Sequence, residues 1–154
     1  MWLGLGIAGL VIVLDQFSKY AVLHWLLSGI VMQPMFAGFN MVRAWNTGVS
    51  FSMFNNYGHL GAWLLSALAV VIVLMLYHWL KREDNRLTQA ALGMIMGGAL
   101  GNVIDRVRFG AVFDFLDFYV DNIHWPAFNA ADSFICIGAA IILTQAVVAK
   151  VKRG

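Results

Sequence analysis

Apolar residues fall along this chain in long blocks, separated by one short basic stretch and two longer mixed ones, with a second basic stretch after the last block. A window about as long as the bilayer is thick, roughly 20 residues, finds four such blocks: Trp2 to about Leu27, Leu60 to Leu80, Leu87 to Ile104 and Ser133 to Ala149. The pattern predicts four transmembrane helices in one membrane-embedded domain covering residues 1–154. The first block could be mistaken for a secretory signal peptide, but it has no basic n-region and no small-x-small cleavage site, so it reads as a retained helix.

The connecting segments are of two kinds. Lys81, Arg82 and Arg86 lie between the second and third blocks, and Lys150, Lys152 and Arg153 follow the fourth. Short loops rich in Lys and Arg stay in the cytoplasm, so both termini are expected there. Segments 28–59 and 105–132 then face the outer side, with Trp25, Trp45, Trp63 and Trp125 near that interface and Trp2 and Trp79 near the inner one. In the first outer segment Gln33-Pro34, the mixed run Phe39 to Trp45 and the turn-forming Asn46-Thr47-Gly48 suit short strands or a hairpin. In the second, Asp114, Asp117 and Asp121 are spaced i, i+3, i+7, which would put them on one face of a short interfacial helix, and the same residues also suit a strand. The expected class is an all-α integral membrane protein, with a small β-like region on the outer face and a short interfacial segment between helices three and four.

Composition agrees and narrows the options. With 61% hydrophobic and 12% charged residues, the 154-residue chain lies outside the range of soluble domains. Its mean hydropathy of +0.76 says the same. It is too short for a transporter of ten or more helices, and a net charge of +2 without a basic arm gives no case for nucleic acid. Cys136, the one cysteine, excludes an internal disulfide and reads as a small core residue. The acids are informative: seven are Asp and one is Glu. A short carboxylate is easier to hold in a fixed orientation than a long one.

Asp15 and Lys19, four apart, stack on one helical face and can pair inside the apolar slab, where ionisable groups are costly enough to need a function or a partner. Gly93, Gly97, Gly98 and Gly101 let the third helix approach a neighbour closely. The continuation Asn102, Asp105, Arg106 brings an amide, a carboxylate and a guanidinium to the outer mouth of that span. Asn129 and Asp132 stand just before the fourth span, with Asp132 or Ser133 suited to cap it. Two carboxyls that face one another share a proton, so one can activate water while the other protonates a carbonyl oxygen. Spacing alone leaves the pair open among Asp105, Asp114, Asp117, Asp121 and Asp132. Asp132 is favoured by its helix start, and Asp105 is disfavoured because Arg106 and Arg108 would hold it ionised. His24, His59, His78 and His124 lack metal-ligand spacing. A competing class is a small proton-coupled transporter or channel subunit, with Asp15, Lys19, Asp105 and Arg106 as a relay.

Five motifs in order resemble the bacterial lipoprotein signal peptidases (signal peptidase II): Asp15-Gln16-Phe17-Ser18-Lys19, Asn46-Thr47-Gly48-Val49-Ser50-Phe51-Ser52, Gly97 through Arg106, Val112-Phe113-Asp114-Phe115 and Pro126 through Asp132. The resemblance implies an inner-membrane aspartyl endopeptidase that cleaves prolipoproteins just before a cysteine carrying diacylglycerol. It implies no cofactor or metal, a site at the outer face, and inhibition by cyclic peptides of the globomycin type. It places the catalytic pair on Asp114 and Asp132. Asn46, Gly48, Asn102, Asp105, Arg106 and Asn129 fall on pocket or substrate-binding positions, and Asp15 and Lys19 on a supporting pair. One departure is Gly48-Val49-Ser50, where the family usually has Gly-Ala-Ala. The loop between Pro34 and Tyr57 is expected to lie over the site and to move as substrate enters.

Overall fold

The structure, a computed structural model, describes residues 1–26, 29–48 and 58–151. Four helices, α1 (Trp2–Trp25), α2 (Gly58–Leu80), α3 (Arg86–Phe109) and α4 (Ala130–Val151), are each long and apolar enough to cross a membrane. Strands β1 (Met32–Phe36) and β2 (Phe39–Asn46) lie between α1 and α2, and β3 (Val112–Val120) and β4 (Ile123–His124) between α3 and α4. They form one antiparallel sheet in the order β1-β2-β3-β4 at one end of the bundle.

Helix α3 is the hub and packs against the other three helices. More than half of its apolar window, 56%, is buried inside the protein, against 6% for α4, so α4 turns most of its surface to lipid. Close approach explains its glycines. A Cβ at Gly97 would stand 2.6 Å from the Ala8 carbonyl oxygen of α1, and one at Gly98 would stand 2.5 Å from the Ala131 carbonyl oxygen of α4. Toward the basic end Ala8, Leu80, Leu92 and Met96 form the apolar core. The ends of α3 are set locally. Asn85 accepts from the Leu87 and Thr88 N–H groups at 2.8 and 3.1 Å, and Gly110, at φ 71°, closes the other end.

Several boundaries differ from the sequence reading. Helix α3 runs five residues past Ile104, so Asp105 and Arg106 belong to its last turns. Helix α4 begins at Ala130, so neither Asp132 nor Ser133 is its N-cap; Asn129 is. The segment holding Asp114 and Asp117 is a strand, β3, with Asp121 just past its end, because β2 offers it a backbone ladder that an isolated interfacial helix would lack. Its i, i+3, i+7 spacing is therefore not a helical face. Asp121, in the β3–β4 turn, takes φ 54°, which Asp tolerates better than most residues. Cys136 is exposed rather than core, since the buried face of α4 runs through Ala131 and Gly138. The Val49-Ser50 departure and the last part of the loop expected to move, residues 49–57, lie outside the described residues, as does Leu27.

Candidate active site

The intramembrane charges of α1 are satisfied by α3. Lys19 Nζ donates to Asp15 Oδ2 at 2.8 Å and lies 2.9 Å from Asp105 Oδ2, so a single cation serves two carboxylates. All three residues are buried. Gln16 joins the set, with its amide donating to Asp105 Oδ1 at 2.9 Å and to the Gly101 carbonyl at 3.2 Å. Gly101 is obligatory here, because a Cβ would meet Asp15 Oδ2 at 2.5 Å. The other oxygen of Asp15 accepts the Ala131 N–H at 3.0 Å, one of the orphan donors in the first turn of α4. Asp105 likewise reaches out of its helix to accept the Phe113 N–H at 3.1 Å, tying α3 to β3. Its ion-pair partner is Lys19, while Arg106, one of the two neighbouring arginines of the sequence reading, is within electrostatic reach. These charges gather at one level beside the sheet and close on each other, an arrangement unlike a relay through the membrane.

Asn102 carries the network onward. Its Oδ1 accepts from Lys19 Nζ at 3.1 Å, and because an ammonium can only donate, the amide must turn its NH2 the other way. That NH2 donates to Asp132 Oδ1 at 2.8 Å. Asn129, fully buried, accepts the Asp132 N–H on Oδ1 at 3.0 Å, while Asp132 Oδ2 reaches back to the Asn129 N–H at 3.3 Å. This is a reciprocal capping box, and it fixes the Asp132 side chain as it starts the helix. The Asn129 NH2 donates to Asn102 Oδ1 at 3.1 Å and to Asp114 Oδ1 at 2.7 Å. Asn46, from the end of β2, donates to Asp114 Oδ2 at 3.1 Å, and its own Oδ1 accepts the Gly48 N–H at 3.1 Å. Gly48 thereby holds the amide that faces Asp114.

Asp114 and Asp132 therefore converge with an asparagine donor on each and no ion-pair partner among the described residues. Burial, and then the negative charge of Asp132, push the Asp114 carboxyl up to about 7, against the pull of the Asn46 and Asn129 donors and of Lys19. Arg106 lies within electrostatic reach of Asp132, Asp114 and Asp105, and its buried Nε has no hydrogen-bond partner among the described residues. A carboxyl that keeps its proton near neutrality beside a second carboxylate is the layout needed to divide acid and base roles.

The ten residues that the resemblance assigns to the site or its support thus fall in one connected region: Asp15, Lys19, Asn46, Gly48, Asn102, Asp105, Arg106, Asp114, Asn129 and Asp132. Asp117 stands apart, buried and bonded to Asn40 and His124, and Asp121 is exposed in its turn. Gln16 was passed over as a member, although a polar side chain in a span beside Asp15 was the signal for it.

Known proteins resemble this chain in sequence and fold. The sequence model described as Signal peptidase (SPase) II matches residues 7–148. The lipoprotein signal peptidase of Alteromonas mediterranea is 45% identical over 90% of this chain and 77% of its own length. That of Aeromonas hydrophila subsp. hydrophila is 46% identical over 92% and 85%. A solved bacterial membrane enzyme, determined by the in meso method at 2.3 Å, superposes with a TM-score of 0.84 at 25% identity, covering 98% of this chain and 91% of that one. A second, at 1.9 Å, gives 0.76 at 26% identity over 92% and 90%. With four apolar helices, one small sheet and a family match across nearly its whole length, the chain belongs to the signal peptidase II family.

Proposed function

We propose that this protein is an aspartyl endopeptidase that removes signal peptides from diacylglyceryl-modified prolipoproteins, cutting just before the lipidated cysteine. The relatives are named lipoprotein signal peptidases, and the observation that carries the mechanism is a converging carboxyl pair with asparagine donors and no paired cation among the described residues. Asp114, buried and pushed up to about 7, holds the proton. Asp132, oriented by Asn102 and the capping box, is the base.

Water between the two carboxyls loses a proton to Asp132 and attacks the scissile carbonyl carbon, while Asp114 protonates the carbonyl oxygen. The tetrahedral intermediate collapses as its hydroxyl returns a proton to Asp114 and the C–N bond breaks. The proton held by Asp132 goes to the departing nitrogen. A signal peptide with a free carboxylate and a lipoprotein with a free cysteine amine are the products, and both carboxyls return to their starting states. Arg106 holds a substrate backbone carbonyl through the donor that has no partner among the described residues.

In this reading the protein is a multi-pass protein of the bacterial cytoplasmic membrane. Both termini are cytoplasmic, because Lys81, Arg82, Arg86 and Lys150 stand at the end away from the sheet. The site then opens at the outer face, where a signal helix ends and the acyl chains on cysteine remain in lipid. Globomycin-type cyclic peptides would compete for the same site.

The test is reconstitution with a diacylglyceryl prolipoprotein, comparing wild type with Asp114→Asn and Asp132→Asn. Both variants should insert and fold yet fail to cleave. Substantial cleavage by either would refute the dyad.

A further inference from the structure

Asp117 is a buried carboxylate that the dyad does not use. It is 4% exposed, as is Asn40, which faces it across the β2–β3 ladder and donates to its Oδ2 at 2.8 Å. From the other side His124 of β4 places Nδ1 at 2.9 and 3.0 Å from its two oxygens. A carboxylate only accepts, so Nδ1 carries the hydrogen. Apolar cross-strand pairs would hold a small sheet without the desolvation cost of a buried charge, so a polar cluster here asks for a reason.

The reason lies a few residues along each flanking strand. Six residues after Asn40, β2 delivers Asn46 to Asp114 Oδ2; five residues after His124, the chain delivers Asn129 to Asp114 Oδ1. Both paths cross irregularities. Between Met41 and Ala44 the β2–β3 register shifts, and the Phe115 and Leu116 N–H groups both donate to the Phe128 carbonyl. A slip of one residue turns side chains to the opposite face, so each irregularity needs a fixed reference beside it.

We propose that Asp117 is a positioning residue that clamps β2 through Asn40 and β4 through His124, so that Asn46 and Asn129 meet the two oxygens of Asp114. The inference rests on the dyad reading above. Asp114 is faced by Asp132 from α4, Lys19 from α1 and Arg106 from α3, and the clamp alters none of these charges. It governs only the two amide donors, which hold the Asp114 carboxyl down. His124 itself faces Asp117 and stacks on Tyr119, with ring centroids 5.1 Å apart.

The experiment is the pH profile of prolipoprotein cleavage by the reconstituted full chain, for wild type, Asp117→Leu and Asp117→Asn, with Asp114→Asn as control. Loss of the clamp should loosen both donors and move the alkaline limb upward by about half a pH unit or more, an effect that mere loss of folded protein would not produce. Asp117→Asn keeps an acceptor for Asn40 and offers an amide hydrogen to the other His124 tautomer, so its limb should stay at the wild-type position. Should Asp117→Leu not fold, the double variant Asn40→Ala, His124→Phe is read by the same limb. An unmoved limb in the unclamped variants overturns the proposal. So does an Asp117→Asn protein as inactive as Asp114→Asn, which would put Asp117 in the chemistry. Cleavage by the Asp114→Asn control would instead overturn the dyad reading on which the proposal rests.

Discussion

Two pairs of aspartates lie side by side in this protein and are treated in opposite ways. Asp15 and Asp105 share Lys19, with every carboxylate oxygen bonded, and they link α1 and α3 to the start of α4 and to β3. Among the described residues Asp114 and Asp132 receive amide donors and no ion-pair partner, and in the proposed mechanism their mutual repulsion is met by a proton on Asp114. The first arrangement builds a fixed frame, and the second leaves a group free to give and take hydrogen. Asn102 joins them: Lys19 sets the direction of its amide on one side, and Asp132 takes its hydrogen on the other.

The sharpest break of this comparison is to make one pair resemble the other. Asp114→Asn or Asp132→Asn removes one proton-transfer group, and turnover should fall by about 10²–10⁴-fold or more while the protein still folds. The stability of Asp114→Asn should also lose a pH dependence. In wild type the folded Asp114 binds its proton more tightly than the unfolded chain does, so the native state is favoured below about 4 and loses that contribution as pH rises from 3.8 to about 7. Thermal melts in detergent at pH 5 and pH 8 would show the difference shrink in the variant. An equal dependence in both proteins would assign it elsewhere.

Removing the cation from the frame should cost mostly stability. Lys19→Met leaves Asp15 and Asp105 buried together without compensation, a change of about 3–5 kcal/mol. Asn102 would also lose one of the two donors on its Oδ1 and keep only Asn129, so the surviving folded protein should cleave slowly. Unfolding in graded denaturing detergent measures the first effect and specific activity per folded molecule the second. A Lys19→Met protein as stable as wild type would mean that the two carboxylates are not held as ions by Lys19.

A smaller perturbation asks how closely the frame is fitted. Gly101→Ala sets a methyl group against Asp15 Oδ2, and overpacking of this kind costs about 1–3 kcal/mol. Asp15 would have to withdraw from the first turn of α4, so Asp132, one residue beyond Ala131, should lose some of its placement. The expected result is a lowered melting temperature with reduced kcat and little change in KM. Unchanged melting would show that α1 can slide away freely.

Much of this was readable from residue order, for a physical reason: a bilayer leaves few ways to hide a polar group, so each one in or beside a span stands out. Asp15, Lys19, Asn102 and Asp132 were conspicuous on that ground. Long-range pairing was not legible in the same way. Asp105 was assigned to its neighbours Arg106 and Arg108, but its cation comes from another helix, because the turn geometry of α3 points it at α1. Asp132 was read as a cap when Asn129 fills that place, since both residue types cap helices and only the start of α4 separates them. The run from Val112 to Asp121 was ambiguous between helix and strand because its strand character depends on β2, distant in the chain.

The smallest effect belongs to the far end of the bundle, away from both aspartate pairs. Asn85 caps α3 through the Leu87 and Thr88 N–H groups, at the end of that helix remote from Asn102 and Asp105. Asn85→Ala should therefore cost about 1 kcal/mol of stability, seen as a modest drop in melting temperature. The stretch of α3 between the cap and Asn102 is held against α1 by Gly93 and Gly97 and against α4 by Gly98, so fraying of the first turn should die out before it reaches the site. Turnover and the alkaline limb should stay at wild-type values. A shifted limb in Asn85→Ala would mean that the frame transmits strain along α3, and that the two aspartate pairs are less insulated from the rest of the bundle than their closed hydrogen bonding implies.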